Sequence, residues 1–294
     1  MPMTEGSISI GIAGSGRVAQ ALGRLLSELG EPVVAIAGRN PERTAVAARF
    51  IGGRILPSTI EKLPHLASHV LIAVSDAAVE PVALLLAQSG FRSGIALHTC
   101  GAMGPAALAV LSAQGVSCGA IHPLQSFASA EEGLSTVAGS SFAVDGDPEA
   151  LLWASSIVRL VGGRVLRIQP EFRSLYHTAA VMASSYIAAL IQGAVETLEA
   201  AGVPRSDGLT ALAPLVRTCA ENSLRIGPVE ALTGPIERGD STTVSVHLRD
   251  LTKLSVPVRR LYCSAGEMVV QMALARGLEK SRAAEIERML RSAQ

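Results

Sequence analysis

The chain has few aromatic residues and little charge, and both scarcities limit what it can bind. Phe, Trp and Tyr together make up 3% of its 294 residues, and 25 basic residues balance 25 acidic ones, so the formal net charge is zero. A nucleic-acid-binding protein needs a basic face, and single-stranded bases stack on aromatic side chains. The composition therefore argues against nucleic acid as a partner.

Cysteine pairs and metal-ligand clusters are also missing from the sequence. The four cysteines, at positions 100, 118, 219 and 263, form no C-x-x-C pair, and no His/Cys group has zinc spacing, so we expect no metal site. His65 and His69 have helical spacing but no third ligand, which favours two surface histidines. Cys100 has no nameable base partner, which favours a small buried thiol over a nucleophile.

Long apolar runs are the third absence. The longest apolar stretch, 178–195, contains Ser184, Ser185, Tyr186 and Gln192, and we take it to be too polar and too short for a membrane span. The N-terminus shows no charged-then-apolar signal segment. We therefore expect a cytoplasmic protein that does not associate with membranes.

The most informative positive signal is a glycine turn near the N-terminus. A strand pattern at 8–12 leads into G-x-G-x-x-A at Gly14, Gly16 and Ala19, then an amphipathic helix pattern and a second strand at 33–37. Glycine lets a pyrophosphate approach the backbone, and the helix N-terminus offers free N–H groups to it. The turn predicts a dinucleotide site formed by Gly14, Ser15, Gly16, Arg17 and Val18.

The end of the second strand indicates which dinucleotide binds. Enzymes that prefer NAD usually place Asp or Glu there for the ribose 2′-hydroxyl, whereas this chain reads Ala-Gly-Arg-Asn at 37–40. A guanidinium pairs with a 2′-phosphate that a carboxylate would repel. We therefore predict NADP as the cofactor, with Arg39 and Asn40 at the phosphate. The alternative is that Arg39 is a solvated residue beside a helix start.

Strand and helix patterns alternate through the first half of the chain and then give way to helix patterns alone. The fold class is thus α/β, with an N-terminal Rossmann-type parallel-sheet domain at 1–168 that binds NADP. An all-helical domain for dimerisation and substrate binding follows at 169–294, headed by a continuous helix at 171–201. Because this helix has no charge from 178 to 194, it must be buried, and we expect a homodimer through the helical domain.

Polar residues gather at the predicted carboxyl ends of strands, where open α/β sheets bind ligands. We expect Val74, Ser75, Thr99 and Gly101 to contact the cofactor. A later strand ends in His122-Pro123-Leu124-Gln125, and Pro123 restrains His122 to an extended conformation. His122 and Pro123 would lie beside the cofactor, with Gln125 in the catalytic set.

Two further segments complete the candidate catalytic set. Tyr176-His177 begins the long helix, where it would face the nucleotide domain across a cleft. His122 and His177 are the candidate proton donors; the alternatives are a strand-capping histidine and an interdomain hydrogen bond. Asp240 lies in a turn-rich stretch and would contact substrate or cap the next helix. The predicted catalytic residues are His177, His122, Tyr176, Gln125 and Asp240.

On these motifs the chain resembles the Rossmann-like proteins with a C-terminal domain of unknown function 2520, relatives of pyrroline-5-carboxylate reductase and of 6-phosphogluconate dehydrogenase-like oxidoreductases. The residues that carry the resemblance are Gly14–Ala19, His98–Gly101, His122–Gln125, Tyr176–Ala180 and Leu232–Asp240. The resemblance implies an NADP-binding domain, a helical dimerisation domain like that of 6-phosphogluconate dehydrogenase, and an active cleft between them. Related reductases often use a Lys or His early on the long helix, and segment 173–177 contains His177 but no Lys.

The sequence and the resemblance together predict an NADP(H)-dependent oxidoreductase. It would transfer hydride to or from a small carbonyl or imine substrate, and His177 or His122 would protonate the product. Two alternatives stay open. One is a non-catalytic NADP-binding sensor or regulatory protein, and the other is a reductase that uses another electron carrier, such as a deazaflavin.

Overall fold

The computed structural model describes residues 8–294, and the internal contacts divide the chain into two compact units that meet between Met182 and Ala183. The first unit is built on an eight-stranded sheet with the order β3-β2-β1-β4-β5-β6-β7-β8. Its strands are β1 (Ile10–Ala13), β2 (Val33–Ala37), β3 (Leu56–Ser58), β4 (His69–Ile72), β5 (Ile95–His98), β6 (Ser117–Pro123), β7 (Ser141–Gly146) and β8 (Arg164–Arg167).

Helices cover both faces of this sheet, as in doubly wound α/β domains. They are α1 (Arg17–Glu28), α2 (Pro41–Ile51), α3 (Val79–Gln88), α4 (Ala109–Ser112), α5 (Ala130–Thr136), α6 (Pro148–Leu160) and α7 (Arg173–Met182). Alternate strand residues supply two apolar cores: Ile12 and Leu71 pack with α1, α2 and α6, whereas Ala13 and Val70 pack with α3 and α4. The predicted Rossmann-type domain is confirmed.

The sheet departs from the predicted parallel arrangement at one strand pair. Strands β1 to β6 pair in parallel with their neighbours, but β7 runs antiparallel to β6. The Leu124 N–H donates to the Ser141 carbonyl oxygen at 2.8 Å, so the chain enters β7 at the edge where it left β6. Antiparallel strands can be joined without a crossover connection. The pattern of strands in the sequence did not reveal this antiparallel pairing.

The continuous helix predicted at 171–201 is wrong. Helix α7 ends at Met182 and α8 (Ser185–Ala200) begins after a turn, because Ser184 has φ −128° and ψ −78°, outside the helical region. Consecutive serines are weak helix formers because their hydroxyls compete for backbone hydrogen bonds. The contact boundary falls at this turn, whereas the predicted boundary at 168 lies before α7.

The second unit is all-helical, as predicted. It contains α8, α9 (Arg205–Ile226), α10 (Ser241–Leu251), α11 (Val256–Ala275) and α12 (Lys280–Ser292). Its core lies between α10, α11 and α12 around Val244, Cys263 and Ile286. Gly193 and Val195 are the buried residues of α8, so the expectation that the long apolar helix is buried is not met within one chain.

The span Pro170–Ala200 is also long and apolar enough to cross a membrane. Its mean hydropathy reaches 1.5 over an 18-residue window, and 11% of that window is buried. The sequence analysis excluded a membrane span at 178–195 because the stretch was too short and too polar. By length and hydropathy, the longer span Pro170–Ala200 does not support that exclusion. One such span is weak evidence for membrane insertion, because soluble proteins also contain segments of this length and composition.

Candidate functional site

The turn between β1 and α1 requires glycine at its first position. Gly14 has φ +125°, and a Cβ atom there would lie 2.1 Å from the carbonyl oxygen of Ala73. The Gly14 N–H donates to the Ala37 carbonyl oxygen at 2.7 Å. The turn therefore packs directly against the segments that follow β4 and β2, and no larger residue fits.

Gly16 differs, because no contact among the described residues requires a glycine there. Its φ is −80° and its ψ −179°, and a Cβ atom would meet no heavy atom within 4 Å. Gly16 is the N-cap of α1, and no side chain caps that helix. An open space above uncapped N–H groups suits a phosphate that must approach the backbone closely, so the residues present fit a dinucleotide pyrophosphate.

Ser15 and Arg17, also in this turn, both lie close to neighbouring segments of the first unit. Ser15 is half-buried, and its Oγ lies 3.2 Å from the position that a Cβ on Gly38 would take, at the end of β2. Arg17 is exposed, and its Nη1 donates to the Phe127 carbonyl oxygen at 3.0 Å. Arg17 thus links α1 to the loop that follows β6. Strand β6 itself ends with His122-Pro123.

Arg39 and Asn40 have different roles at the end of β2. Arg39 is exposed, and the described residues offer its guanidinium no hydrogen bond or ion pair. Asn40 is the N-cap of α2, and its Oδ1 accepts a hydrogen bond from the Arg43 N–H at 2.9 Å. The Asn40 oxygen therefore serves the helix, and the phosphate contact predicted for Arg39 stays a prediction.

The segments after β4 and β5 approach the same edge of the sheet. A Cβ on Gly14 would be 3.2 Å from Cγ1 of Val74, and Ser75 beside it is exposed. Thr99 is buried, and its N–H donates to the Ile72 carbonyl oxygen at 3.0 Å. Val74 and Ser75 can face a ligand, whereas buried Thr99 has little exposed surface for a ligand to contact.

Gly101 separates two histidine rings. A Cβ atom at this position would lie 2.7 Å from Nε2 of His122 and 2.7 Å from Cδ2 of His177. The two ring centroids are 6.1 Å apart. Gly101 is therefore a spacer between the candidate proton donors, and its predicted cofactor contact stays a prediction.

His122 also pairs with the phenol of Tyr176. Its Nδ1 lies 2.6 Å from the Tyr176 Oη, and the two rings meet edge to face at 5.6 Å. Burial lowers the pKa of His122 to about 4, with the neighbouring His177 and Arg173 adding to the effect, and burial raises the pKa of Tyr176 to about 12. Both groups are therefore neutral at physiological pH.

Sequence reasoning missed the charged residues behind this cluster. Arg173, at the start of α7, is 3% exposed. Its Nη2 donates to the Cys100 carbonyl oxygen at 3.3 Å, and its Nη1 lies 3.9 Å from Oδ2 of Asp145 on β7. No sequence signal pointed to this pair, because the two residues are far apart in the chain and both ordinarily read as surface charges.

His98 fixes the loop that follows β5. Its Nδ1 accepts a hydrogen bond from the Cys100 N–H at 3.2 Å, and its Nε2 lies 3.0 Å from the Gly104 carbonyl oxygen. These bonds need the Nε2–H tautomer. Burial lowers the pKa of His98 to about 4, which keeps that tautomer neutral.

Two predicted catalytic residues are engaged in structural bonds. Gln125 Nε2 donates to the Thr136 carbonyl oxygen and to Ser140 Oγ, while its Oε1 accepts from the Ser126 N–H. Asp240, in the second unit, caps α10 by accepting from the N–H and the hydroxyl of Thr243. The capping alternative for Asp240 is confirmed, and Gln125 braces its loop instead of presenting a free amide.

The structure also places Cys100 and His69, two residues that the sequence left with alternatives. Cys100 is buried, and burial with a hydrogen bond to Asp76 raises its pKa, which keeps the thiol protonated as expected for an inert cysteine. His69 begins β4 and pairs edge to face with Trp153 at 4.8 Å, so it is neither helical nor a surface residue. Residues 8–294 contain no group of three His, Cys, Asp or Glu placed to hold a metal ion.

Comparisons with known proteins agree with this architecture. Residues 2–123 match the family model of a Rossmann-like domain, and residues 140–269 match the domain of unknown function DUF2520. A comparison with curated protein sequences gives no match.

Similar solved structures cover nearly the whole chain. A protein of Thermotoga maritima is 22% identical with a TM-score of 0.69, covering 91% of this chain and 99% of that one. Plasmodium falciparum pyrroline carboxylate reductase with NADP bound is 14% identical with a TM-score of 0.59, covering 96% and 98%. An NADH-preferring ketol-acid reductoisomerase from an uncultured archaean is 15% identical with a TM-score of 0.60, covering 97% and 93%. These identities show a shared fold.

The buried neutral rings of His98 and His122 predict a pH-dependent stability. Each ring has a folded pKa of about 4 against an ordinary value of 6.5. Between these values the unfolded chain binds more protons, so the free energy of unfolding falls as the pH is lowered from 6.5 towards 4. We expect a loss on the order of 1–3 kcal/mol per ring.

Urea unfolding at pH 7.0 and pH 4.5 measures this loss. The His122→Asn variant should lose less stability than the wild type over the same interval, because asparagine does not titrate there. An equal loss in the two proteins would assign the pH dependence to other groups.

Proposed function

Because the chain joins a Rossmann-like domain to a DUF2520 domain, we propose that it is an NADP(H)-dependent oxidoreductase that transfers hydride to or from a small carbonyl or imine compound. The observation that carries the proposal is the placement of the glycine turn and the ring cluster of His122, Tyr176 and His177. Strands β1, β5 and β6 run in parallel, so the segments after their carboxyl ends lie along one edge of the sheet.

The ring cluster supplies what such a reaction needs from the protein. Reduction of a C=O or C=N bond consumes a hydride, which a bound nicotinamide supplies, and a proton, which the protein must provide. His122 has a pKa of about 4 and is a poor cationic acid at neutral pH. His177, half-buried and on the other side of Gly101, is therefore the proton donor, and neutral His122 orients Tyr176 through their hydrogen bond.

Arg39 supports NADP as the cofactor. The fold itself accommodates either cofactor, since similar structures include a reductase with NADP bound and an NADH-preferring reductoisomerase. The choice therefore depends on the end of β2, where the exposed guanidinium of Arg39 has no partner among residues 8–294 and the sequence has no acid to hold a ribose 2′-hydroxyl.

Titration of NADPH and NADH by fluorescence tests this half of the proposal. We expect the wild type to bind NADPH more tightly than NADH, and Arg39→Ser to lose about tenfold in NADPH affinity with NADH unchanged. The matched control is Arg159→Ser, on the exposed side of α6. A wild type that prefers NADH would refute the role of Arg39.

Gly16→Ala provides the sharpest variant for the pyrophosphate site. Since a Cβ there meets nothing in the chain, the variant should fold and melt like the wild type. It should lose both dinucleotides equally, by tenfold or more, because the methyl group occupies the space that the phosphate needs. Unchanged affinity for both dinucleotides would show that the glycine turn does not bind the pyrophosphate.

Turnover tests the catalytic half. NADPH oxidation should be detectable with a member of a panel of keto acids and cyclic imines. His177→Ala should lower kcat by 100-fold or more without changing NADPH affinity, because a general acid contributes about that much. Thr178→Ala, the next residue along α7, serves as the control. Tight NADPH binding without turnover on any panel member would favour the sensor over the enzyme.

We also propose that the chain forms a homodimer through its helical unit. Tyr186, Ile187 and Leu190 on α8 are 56%, 44% and 46% exposed. Beside them α8, α10 and α11 enclose a groove of about 650 Å³ with mostly apolar walls, to which Gly193 and Ala194 contribute. Monomers rarely expose contiguous apolar surface of this extent, and a second copy supplies an identical apolar helix across a two-fold axis.

Light scattering after size exclusion measures the dimer. The wild type should elute as a dimer at micromolar concentration, and Leu190→Glu should elute as a folded monomer, because it places a charge in the apolar contact. Leu152→Glu is the matched control, since Leu152 is 71% exposed on α6 of the first unit. A monomeric wild type, or a wild type that partitions onto phospholipid vesicles instead, would refute the dimer.

A further inference from the structure

Helix α7 presents three functional side chains on one face. Arg173, Tyr176 and His177 have i, i+3 and i+4 spacing, which places them one above the other on the helix surface. Arg173 is 3% exposed, whereas Leu175 on the opposite side is 67% exposed. This face of α7 is therefore the one that docks, and Arg173 is its most deeply buried member.

The guanidinium of Arg173 joins α7 to two other segments of the first unit. Nη2 donates to the Cys100 carbonyl oxygen, and Nη1 faces the Asp145 carboxylate on β7. Cδ of Arg173 lies 3.8 Å from the position that a Cβ on Gly104 would take. The side chain thus binds one end of the loop 100–104, at Cys100, and lies near its other end, at Gly104.

This loop contains the spacer between the two histidines. His98 holds the loop through its hydrogen bonds at Cys100 and Gly104, and Arg173 binds Cys100 from the side of α7, with its side chain close to Gly104. Gly101, between them, touches both His122 and His177. A shift of the loop against α7 would change the gap between the rings.

We propose that Arg173 is a positioning residue of the candidate site, because it fixes α7 against the loop 100–104 and so sets the spacing between His122 and His177. The proposal rests on the proposed function, since only a working site gives that spacing a use. Arg173 supplies no reacting atom of its own. It acts on the two rings through Gly101.

The incomplete bonding of Arg173 supports a positioning role over simple packing. Among the described residues, Arg173 Nε and Asp145 Oδ2 are buried without a hydrogen-bond partner. Burying a charged pair with unused donors and acceptors is costly, and well-packed apolar side chains often stabilise such a position better. If the fold needed only a side chain to fill this space, an apolar residue would serve as well as Arg173. Holding the Cys100 carbonyl oxygen in place, by contrast, requires a hydrogen-bond donor.

The test reads ring geometry and does not depend on turnover. Two variants are compared with the wild type at pH 7: Arg173→Lys, which keeps the charge, and Arg173→Met with Asp145→Asn, which removes both charges together. Arg159→Met is the matched surface control. Nuclear Overhauser contacts from the Gly101 Hα protons to the rings of His122 and His177 report the spacing.

In both variants we expect these Gly101 contacts to lose at least half of their intensity and the signals of His122 and His177 to shift. The ring signals of His69 and His247, one in each unit, should stay in place and report an intact fold. If substrates are in hand, kcat should fall at least tenfold with NADPH affinity unchanged.

Two results would overturn the proposal. Unchanged Gly101 contacts in two folded variants would show that the spacing does not depend on Arg173. Unfolding of both variants would make Arg173 a residue of the fold itself. A wild type without turnover would count against the proposed function only, because the ring contacts can be measured regardless.

Discussion

The candidate site depends on the parallel alignment of β1, β4, β5 and β6. Because these strands run in one direction, the segments that follow them meet at one edge of the sheet. Each segment then brings one element: a glycine turn, an exposed serine, a glycine spacer or a histidine. The antiparallel β7 adds Asp145 from its far end, which places a carboxylate behind the cluster.

Three polar groups at this edge are neutral, and an ion pair lies close to them. Burial keeps His98 and His122 unprotonated and keeps the Tyr176 phenol protonated. The opposite charges of Arg173 and Asp145 lie behind them, 3.9 Å apart. The neutral groups can donate and accept hydrogen bonds, while the charged pair contacts the backbone of the loop after β5 through the Cys100 carbonyl oxygen.

Local patterns in the sequence predicted the fold well, and non-local contacts explain the errors. The bounds of β2 agree with the predicted 33–37, and the glycine turn was identified together with its strand and helix. The antiparallel pairing of β7, the ring contacts of Gly101 and the burial of Arg173 each join residues distant in the chain, and no spacing rule encodes them. Gln125 and Asp240 were placed in the catalytic set because polar loop residues suggest function, but their hydrogen bonds show that they brace local structure.

The turn after Met182 has a consequence for how this chain can change. The rings of Tyr176 and His177 belong to a ten-residue helix of the first unit, whereas the exposed apolar side chains of α8 begin after the turn, in the second. Substitutions that share no contacts usually have additive effects. The exposed apolar surface of α8 can therefore change by substitution while the ring cluster on α7 stays as it is.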